Sequence, residues 1–241
     1  MSLDDRIRDL AVSLGADYFG IADLSTAHDF ILGQGGAQIA GYPRAVVMGM
    51  VLLDTLVDRL PDGGAPAKIL YRHHAYDVVN AALDQMALLV SNELQRGGFA
   101  AFPVPASKRV DDERICGIFS QKLAAHLAGL GWIGKSCLLV TPGHGPRVRW
   151  VSVLTDAPVV PTGTPMEELC GDCTLCETIC PPRAITGRPF RTAEPREARL
   201  DAAGCERHFK IVEENTGSPV CGLCLYVCPY GRVRKRAHPS D

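Results

Sequence analysis

Apolar positions recur at helical spacing over residues 3–14, where Leu3, Ile7, Leu10, Ala11 and Leu14 share a face and Gly15 can close the turn. The pattern then shifts to short continuous apolar runs. Residues 18–22 read as a buried strand, and AVVMGMVLL at 45–53 reads as a second from its length and β-branched content. PDGGAP at 61–66 predicts a loop. Helical spacing returns over 67–96, with Val78, Ala82, Met86, Leu89 and Leu94 on the apolar face, and Gly97 and Gly98 end it. A third strand is expected at 99–104 and a helix at 117–128. Two strands at 137–141 and 147–155, joined by PGHGP, predict a hairpin. The proline-bearing segment 156–165 reads as a linker. Helices and strands without regular βαβ alternation predict an α+β body over residues 1–160 and a second domain over 161–241.

Composition narrows the classes. The chain has 241 residues, 46% apolar and 22% charged, which is an ordinary globular balance. A net charge of −2 provides no basic field of the kind that marks nucleic-acid binders. No run approaches the roughly eighteen apolar residues of a membrane span. The start, MSLDDRIRDL, lacks the basic-then-apolar order of a secretory signal, so a cytoplasmic protein without a membrane partner is expected.

The ten cysteines change the picture most, because eight of them fall between Cys170 and Cys228. In a chain without a secretory signal, such clustering points to metal rather than disulfides. Cys170, Cys173, Cys176 and Cys180-Pro181 follow the spacing C-x2-C-x2-C-x3-C-P, in which three thiolates hold one 4Fe-4S cluster and the fourth reaches another. Cys221, Cys224 and Cys228-Pro229 repeat the last three cysteines and the proline, with Ser218 at the first position. Cys205, sixteen residues before Cys221, is the nearby spare thiol. Exchange between the runs then assigns Cys170, Cys173, Cys176 and Cys228 to one cluster, and Cys180, Cys205, Cys221 and Cys224 to the other. The alternative, structural zinc, usually takes two C-x2-C knuckles a dozen or more residues apart, and these runs fit that poorly.

Gly129-Leu-Gly131-Trp132-Ile-Gly134-Lys135-Ser136 matches both a dinucleotide fingerprint and a phosphate loop. Both motifs require a strand before the loop and a helix after it. Here a predicted helix ends at Gly129 and a strand follows Ser136, so the nucleotide readings are rejected. The glycines then serve either a helix C-cap with a tight corner or a loop that approaches a large flat cofactor.

AGLGWIGKS, LLVTPGHGPRVRWVSVLTD, CGDCTLCETICPPRAI, Cys205 and CGLCLYVCPYG, in that order, resemble the epoxyqueuosine reductases and their shorter relatives. LGADYFGIADLS and HHAYDVVN are similar as well. The resemblance implies a nitroreductase-like cofactor domain followed by a ferredoxin-like domain with two 4Fe-4S clusters, and a cobalamin in the first. It implies a cofactor loop formed by Lys122, Gly131, Trp132, Gly134 and Lys135. The family's proton-donating aspartate, fourteen residues before the first glycine of GLGW, falls on Ile115, which holds no acidic proton. Asp112, between Asp111 and Glu113, and Tyr76, in a matching stretch, are therefore the catalytic candidates.

Full epoxyqueuosine reductases continue into helical repeats that grip tRNA, whereas this sequence stops thirteen residues after Cys228. The expected partners are thus an electron donor such as a ferredoxin or flavodoxin and a small-molecule or corrinoid ligand, with tRNA a lesser expectation. The tail residues Arg232, Arg234, Lys235 and Arg236 read as solvated charge that could touch phosphate. His73 and His74 read as a polar helix end, His126 as core-edge, and Cys116 and Cys137 as structural thiols. Arg147 and Arg149 are expected on one face of a strand. The function expected is an iron–sulfur oxidoreductase passing electrons to a pocket in the N-terminal domain, with cobalamin-dependent reduction on the family pattern. The alternative is an electron-transfer or corrinoid-handling protein without a substrate of its own.

Overall fold

The computed structural model describes residues 1–232; Arg234, Lys235 and Arg236 lie outside the described residues. Helix α1 (Leu3–Ser13) opens on a capping box, in which the Ser2 hydroxyl accepts from the Asp5 backbone and the Asp5 carboxylate accepts from Ser2. Strand β1 (Tyr18–Asp23), helix α2 (His28–Ala40) and strand β2 (Arg44–Val51) follow. Next come α3 (Asp54–Val57), α4 (Gly64–Arg72), a π-helical stretch (His73–Val78) and α5 (Val79–Arg96). Strand β3 (Ala101–Val104), helix α6 (Gln121–Leu127), the short strands β4 (Trp132–Ile133) and β5 (Leu139–Val140), and β6 (Val148–Thr155) complete the body. The cysteine-rich part adds α7 (Leu175–Thr178), α8 (Ala202–Thr216) and α9 (Leu223–Val227).

β1, β2, β6 and β3 form, in that order, a four-stranded sheet with antiparallel pairings. Alternation along the strands splits the core into two. Ile21, Val46, Met48, Val151 and Val153 face α1 and α5, while Ala22, Ala45, Val47, Trp150 and Leu154 pack with α2 and α6 residues. Helices cover both faces, which explains why β2 is apolar from Ala45 to Val51 and why β6 is buried along nearly all its length. The fold is α+β, as the sequence predicts.

The structure differs from expectation in four places. The 61–66 segment is not all loop, because α4 begins at Gly64 with Pro66 in its first turn, where a missing N–H costs nothing. The hairpin between 137–141 and 147–155 does not form. Both edges of β6 are taken by β2 and β3, and β5 instead pairs with β4, Trp132 opposite Val140. Helix α2, kinked where Gly36 takes φ 76°, has no counterpart in the sequence reading. The expected linker is laid along the body: Ala157 and Val159 are buried, Val160 N–H donates to Asp4, and Thr162 N–H donates to the Ile21 carbonyl. Val220 and Leu225 of the cysteine-rich part join the same core as Leu60 and Ile7.

Candidate functional site

Cys170, Cys173, Cys176 and Cys228 line one cavity, walled also by Val140, Leu175 and Tyr230. Cys170 and Cys173 come from the loop entering α7, Cys176 from α7 itself and Cys228 from the end of α9, so the two cysteine runs cross. Cys180, Cys205, Cys221 and Cys224 form a second group. Cys180 and Cys221 oppose ionisation of Cys205, and Cys221, Cys205 and Cys180 oppose that of Cys224. Burial is the larger cause in both and pushes Cys205 up to about 11; it does the same for Cys176 in the first group. Among the described residues no three His, Cys, Asp or Glu side chains converge on a single ion position.

The GLGWIGK segment backs the first group. α6 ends at Leu127, Gly129 takes φ 76°, and the chain turns into β4. A Cβ at Gly131 would lie 2.3 Å from the Val140 carbonyl oxygen, and one at Gly134 would lie 3.3 Å from Cys170 Sγ. Trp132 is fully buried and meets Tyr230 edge-on at 4.8 Å. Its Nε1 has no hydrogen-bond partner and lies close enough to favour the Cys170 thiolate, against the larger effect of burial, which raises that thiol. Lys135 Nζ donates to the Gly171 and Cys173 carbonyls. At the second group Lys68 plays a comparable part, donating to Leu60 O at 2.8 Å and Cys221 O at 3.0 Å.

A separate open cleft of about 370 Å3 lies in the body, lined by residues that include Ile115, Cys116, Gln121, Lys122, Arg149, Trp150 and Arg196. Of the five residues expected on a cofactor loop, Lys122 lines this cleft. Gly131, Trp132, Gly134 and Lys135 do not: Gly131 packs on the Val140 backbone across the β4–β5 pairing, and Trp132, Gly134 and Lys135 lie beside the loop that carries Cys170. Tyr76 stands one residue back: Arg149 lies 4.3 Å over its ring and donates from Nε to Asn80 Oδ1 at 3.0 Å. The Asp112 side chain is 92% exposed, pairs with Arg109 at 3.5 Å, and is not part of the cleft lining. Asp111 closes the tight turn instead, its carboxylate accepting from Arg114 N–H at 2.8 Å. That turn holds Ile115 at φ 53°, a strained conformation for a β-branched residue. Arg196 clamps it by donating to the carbonyls of Arg114 and Ile115.

Arg147 and Arg149 part company. Arg147 is 2% exposed and bridges Asp54 at 2.6 Å and Asp58 at 2.7 Å. His74 Nε2 accepts from Leu53 N–H at 3.3 Å, and burial lowers its pKa. His126 Nδ1 bonds the Gly131 carbonyl at 3.1 Å, and burial lowers it too. The sequence reading missed Arg196 and Arg199. Neither lies in a motif, and only the return of the chain past α7 brings them to the cleft region.

Crossed cysteine runs of this spacing are the mark of an iron–sulfur protein. Residues 169–231 match the family described as a 4Fe-4S double cluster binding domain. The chain is similar to the epoxyqueuosine reductase of Pseudomonas aeruginosa, 26% identical over 244 residues that cover 95% of this chain and 62% of the relative. Its fold is similar to that of an epoxyqueuosine reductase solved with a tRNA-Tyr epoxyqueuosine-modified stem loop, at TM-score 0.59 and 20% identity, covering 96% of this chain and 66% of that one. A reductive dehalogenase whose structure suggests a mechanism for B12-dependent dehalogenation superposes at TM-score 0.66 and 21% identity, covering 94% of this chain and 31% of that one. The resemblance to epoxyqueuosine reductases thus holds across the chain, which spans less than two thirds of the curated relative's length. No described helix is long and apolar enough to cross a membrane.

Proposed function

We propose that the chain is an iron–sulfur oxidoreductase that carries electrons through two 4Fe-4S clusters toward the cleft. In this reading a nitroreductase-like domain spans residues 1–160 and a ferredoxin-like domain spans 161–241. Cys170, Cys173, Cys176 and Cys228 hold one cluster; Cys180, Cys205, Cys221 and Cys224 hold the other. The observation that carries the reading is the crossing of the runs, with Cys228 lining the cavity of the first three cysteines. Trp132, Gly134 and Lys135 then seat the first cluster: glycine leaves room beside Cys170, and the lysine fixes the loop. Electrons enter from a ferredoxin, a flavodoxin or a similar reductant.

Cobalamin is the cofactor the relatives suggest for the cleft, and the residues there fit it. Gln121 Oε1 and Trp150 Nε1 are buried without hydrogen-bond partners, one acceptor and one donor suited to a ligand fringed with amides. A reduced corrinoid supplies a nucleophilic metal for attack on an electrophilic carbon. Gln121, Lys122, Arg149 and Trp150 would bind its rim, and Tyr76 would hold Arg149 in place from behind. Tyr76 and Asp112 are the proposed proton sources, and neither lines the cleft: Tyr76 stands behind Arg149, and Asp112 would reach the cleft only if the 111–116 turn reversed. Anaerobic reconstitution tests the core of the reading: about eight irons per chain are expected, and added cobalamin should change the visible spectrum. Zinc in place of iron overturns it.

One observation favours the second reading, a corrinoid-handling or electron-transfer protein. Ile115 stands in the cleft where the family has its acid, and Asp111, Asp112 and Glu113 do not line it. Turnover of epoxyqueuosine-containing tRNA by the reconstituted protein would sink that reading.

A further inference from the structure

A second, much smaller cavity of about 20 Å3 adjoins the cleft and shares Lys122, Cys137 and Arg196 with it. Arg199 also lines it. That arginine is 2% exposed, and its Nε and Nη1 are buried without a hydrogen-bond partner. Its guanidinium lies 4.6 Å over the ring of Phe190, an apolar neighbour. Of the nearby acids, Glu194 pairs with Arg188 at 3.1 Å and Glu197 with Arg196 itself at 2.9 Å, and neither forms an ion pair with Arg199. Arg196 keeps its Nε buried and unpartnered. The Lys122 ammonium, with three donors, donates to the Cys137 carbonyl at 2.6 Å. Three cations thus meet at one small space.

A buried guanidinium with unmade bonds is costly, and an anion of matching shape removes that cost. We propose that this cavity is a carboxylate-binding subsite at the back of the cleft, with Arg199, Arg196 and Lys122 as its donors. The ligand's carboxylate enters the cavity and the rest of the molecule lies in the cleft. Carboxylate is favoured over phosphate for two reasons. The space holds little more than one water-sized group, and planar guanidinium forks match planar carboxylate oxygens. Burial is the largest cause acting on both Lys122 and Arg199 and lowers their pKa; Cys137 raises both, Arg196 and Arg199 lower Lys122, and Glu194 and Glu197 raise Arg199. The inference rests on reading the cleft as a ligand pocket and names the class of ligand, one that bears a carboxylate.

The test uses the full chain with reconstituted clusters, titrated calorimetrically with propionate, with propionamide as neutral isostere and with inorganic phosphate. Propionate should bind at least ten times more tightly than propionamide. Arg199→Gln should reduce propionate affinity about tenfold, or about 1.4 kcal/mol, without changing iron content. Absence of propionate binding, equal binding of acid and amide, or tighter binding of phosphate overturns the subsite. Unchanged propionate affinity in Arg199→Gln overturns it as well. Should that variant fail to fold, the acid–amide comparison on the unaltered protein still decides. Iron content is measured on the same samples, so failure of the electron-carrier reading registers separately.

Discussion

The two cysteine groups look like repeats in the sequence, yet they sit in different surroundings. The first is held from outside, by a loop of the body: Lys135 ties down the Gly171 and Cys173 carbonyls, and Gly134 and Trp132 press on Cys170. The second is built into the main core. Its neighbours Val220 and Leu225 pack with Leu60, and Gly222 sits so close to Leu60 that a Cβ there would lie 2.7 Å from Cδ1. One group is a fixture on the body and the other is part of its foundation. Similar ligand spacing does not imply similar dependence on the fold.

That contrast can be broken most directly by removing one ligand from each side. Cys224→Ser should cost cluster content and several degrees of melting temperature, because a buried polar group is left in the shared core. Cys173→Ser should cost a similar amount of iron with a much smaller thermal penalty. Equal melting shifts for the two variants would erase the distinction. Next in size, Lys135→Ala should leave the second group intact and speed loss of iron from the first on exposure to air, followed by the decay of absorbance. Lys68→Met removes a cation beside Cys221, so the reduced, more negative form of the second cluster loses support. Its potential should fall by a few tens of mV, while that of the first stays in place, as redox titration would show.

The smallest effect is in pH. Burial holds His126 below its ordinary pKa of 6.5. The unfolded chain therefore binds its proton first as pH falls through that value, and stability is lost on the acid side and regained as pH rises. His208 near Lys68 is lowered by burial as well, so acid weakens the flanks of both groups. His126→Gln should flatten part of the melting-temperature slope below about pH 6.5, leaving the shares of His74 and His208.

Much of this was legible in the residues. The cysteine spacing carried both groups and their crossing, since three-residue steps and the Cys-Pro closures are local chemistry. The strands at 18–22 and 45–53 were visible because a buried strand is apolar throughout. Pairing was not legible. The run at 137–141 has a fine turn before 147–155, but which strand it joins is decided by β2 and β3 occupying both edges of β6. Helix α2 was hidden by its glycines, which lower helix propensity. α8, which carries Cys205, had its signals in Asp201 at the N-cap and Gly217 at φ 73°, and attention to those two would have found it. The loop GLGWIGKS was open between a corner and a cofactor contact; in the structure it turns the chain from α6 into β4 and lies beside Cys170.

The strap formed by residues 157–163 has a mechanical consequence. With its buried valine and alanine and its bonds to Asp4 and Ile21, it acts as a brace, not a tether. A protease cut within it should leave the two fragments sedimenting together. In the proposed function, the spacing between the thiols and the cleft is then set once, when the chain folds, instead of being made anew at each collision.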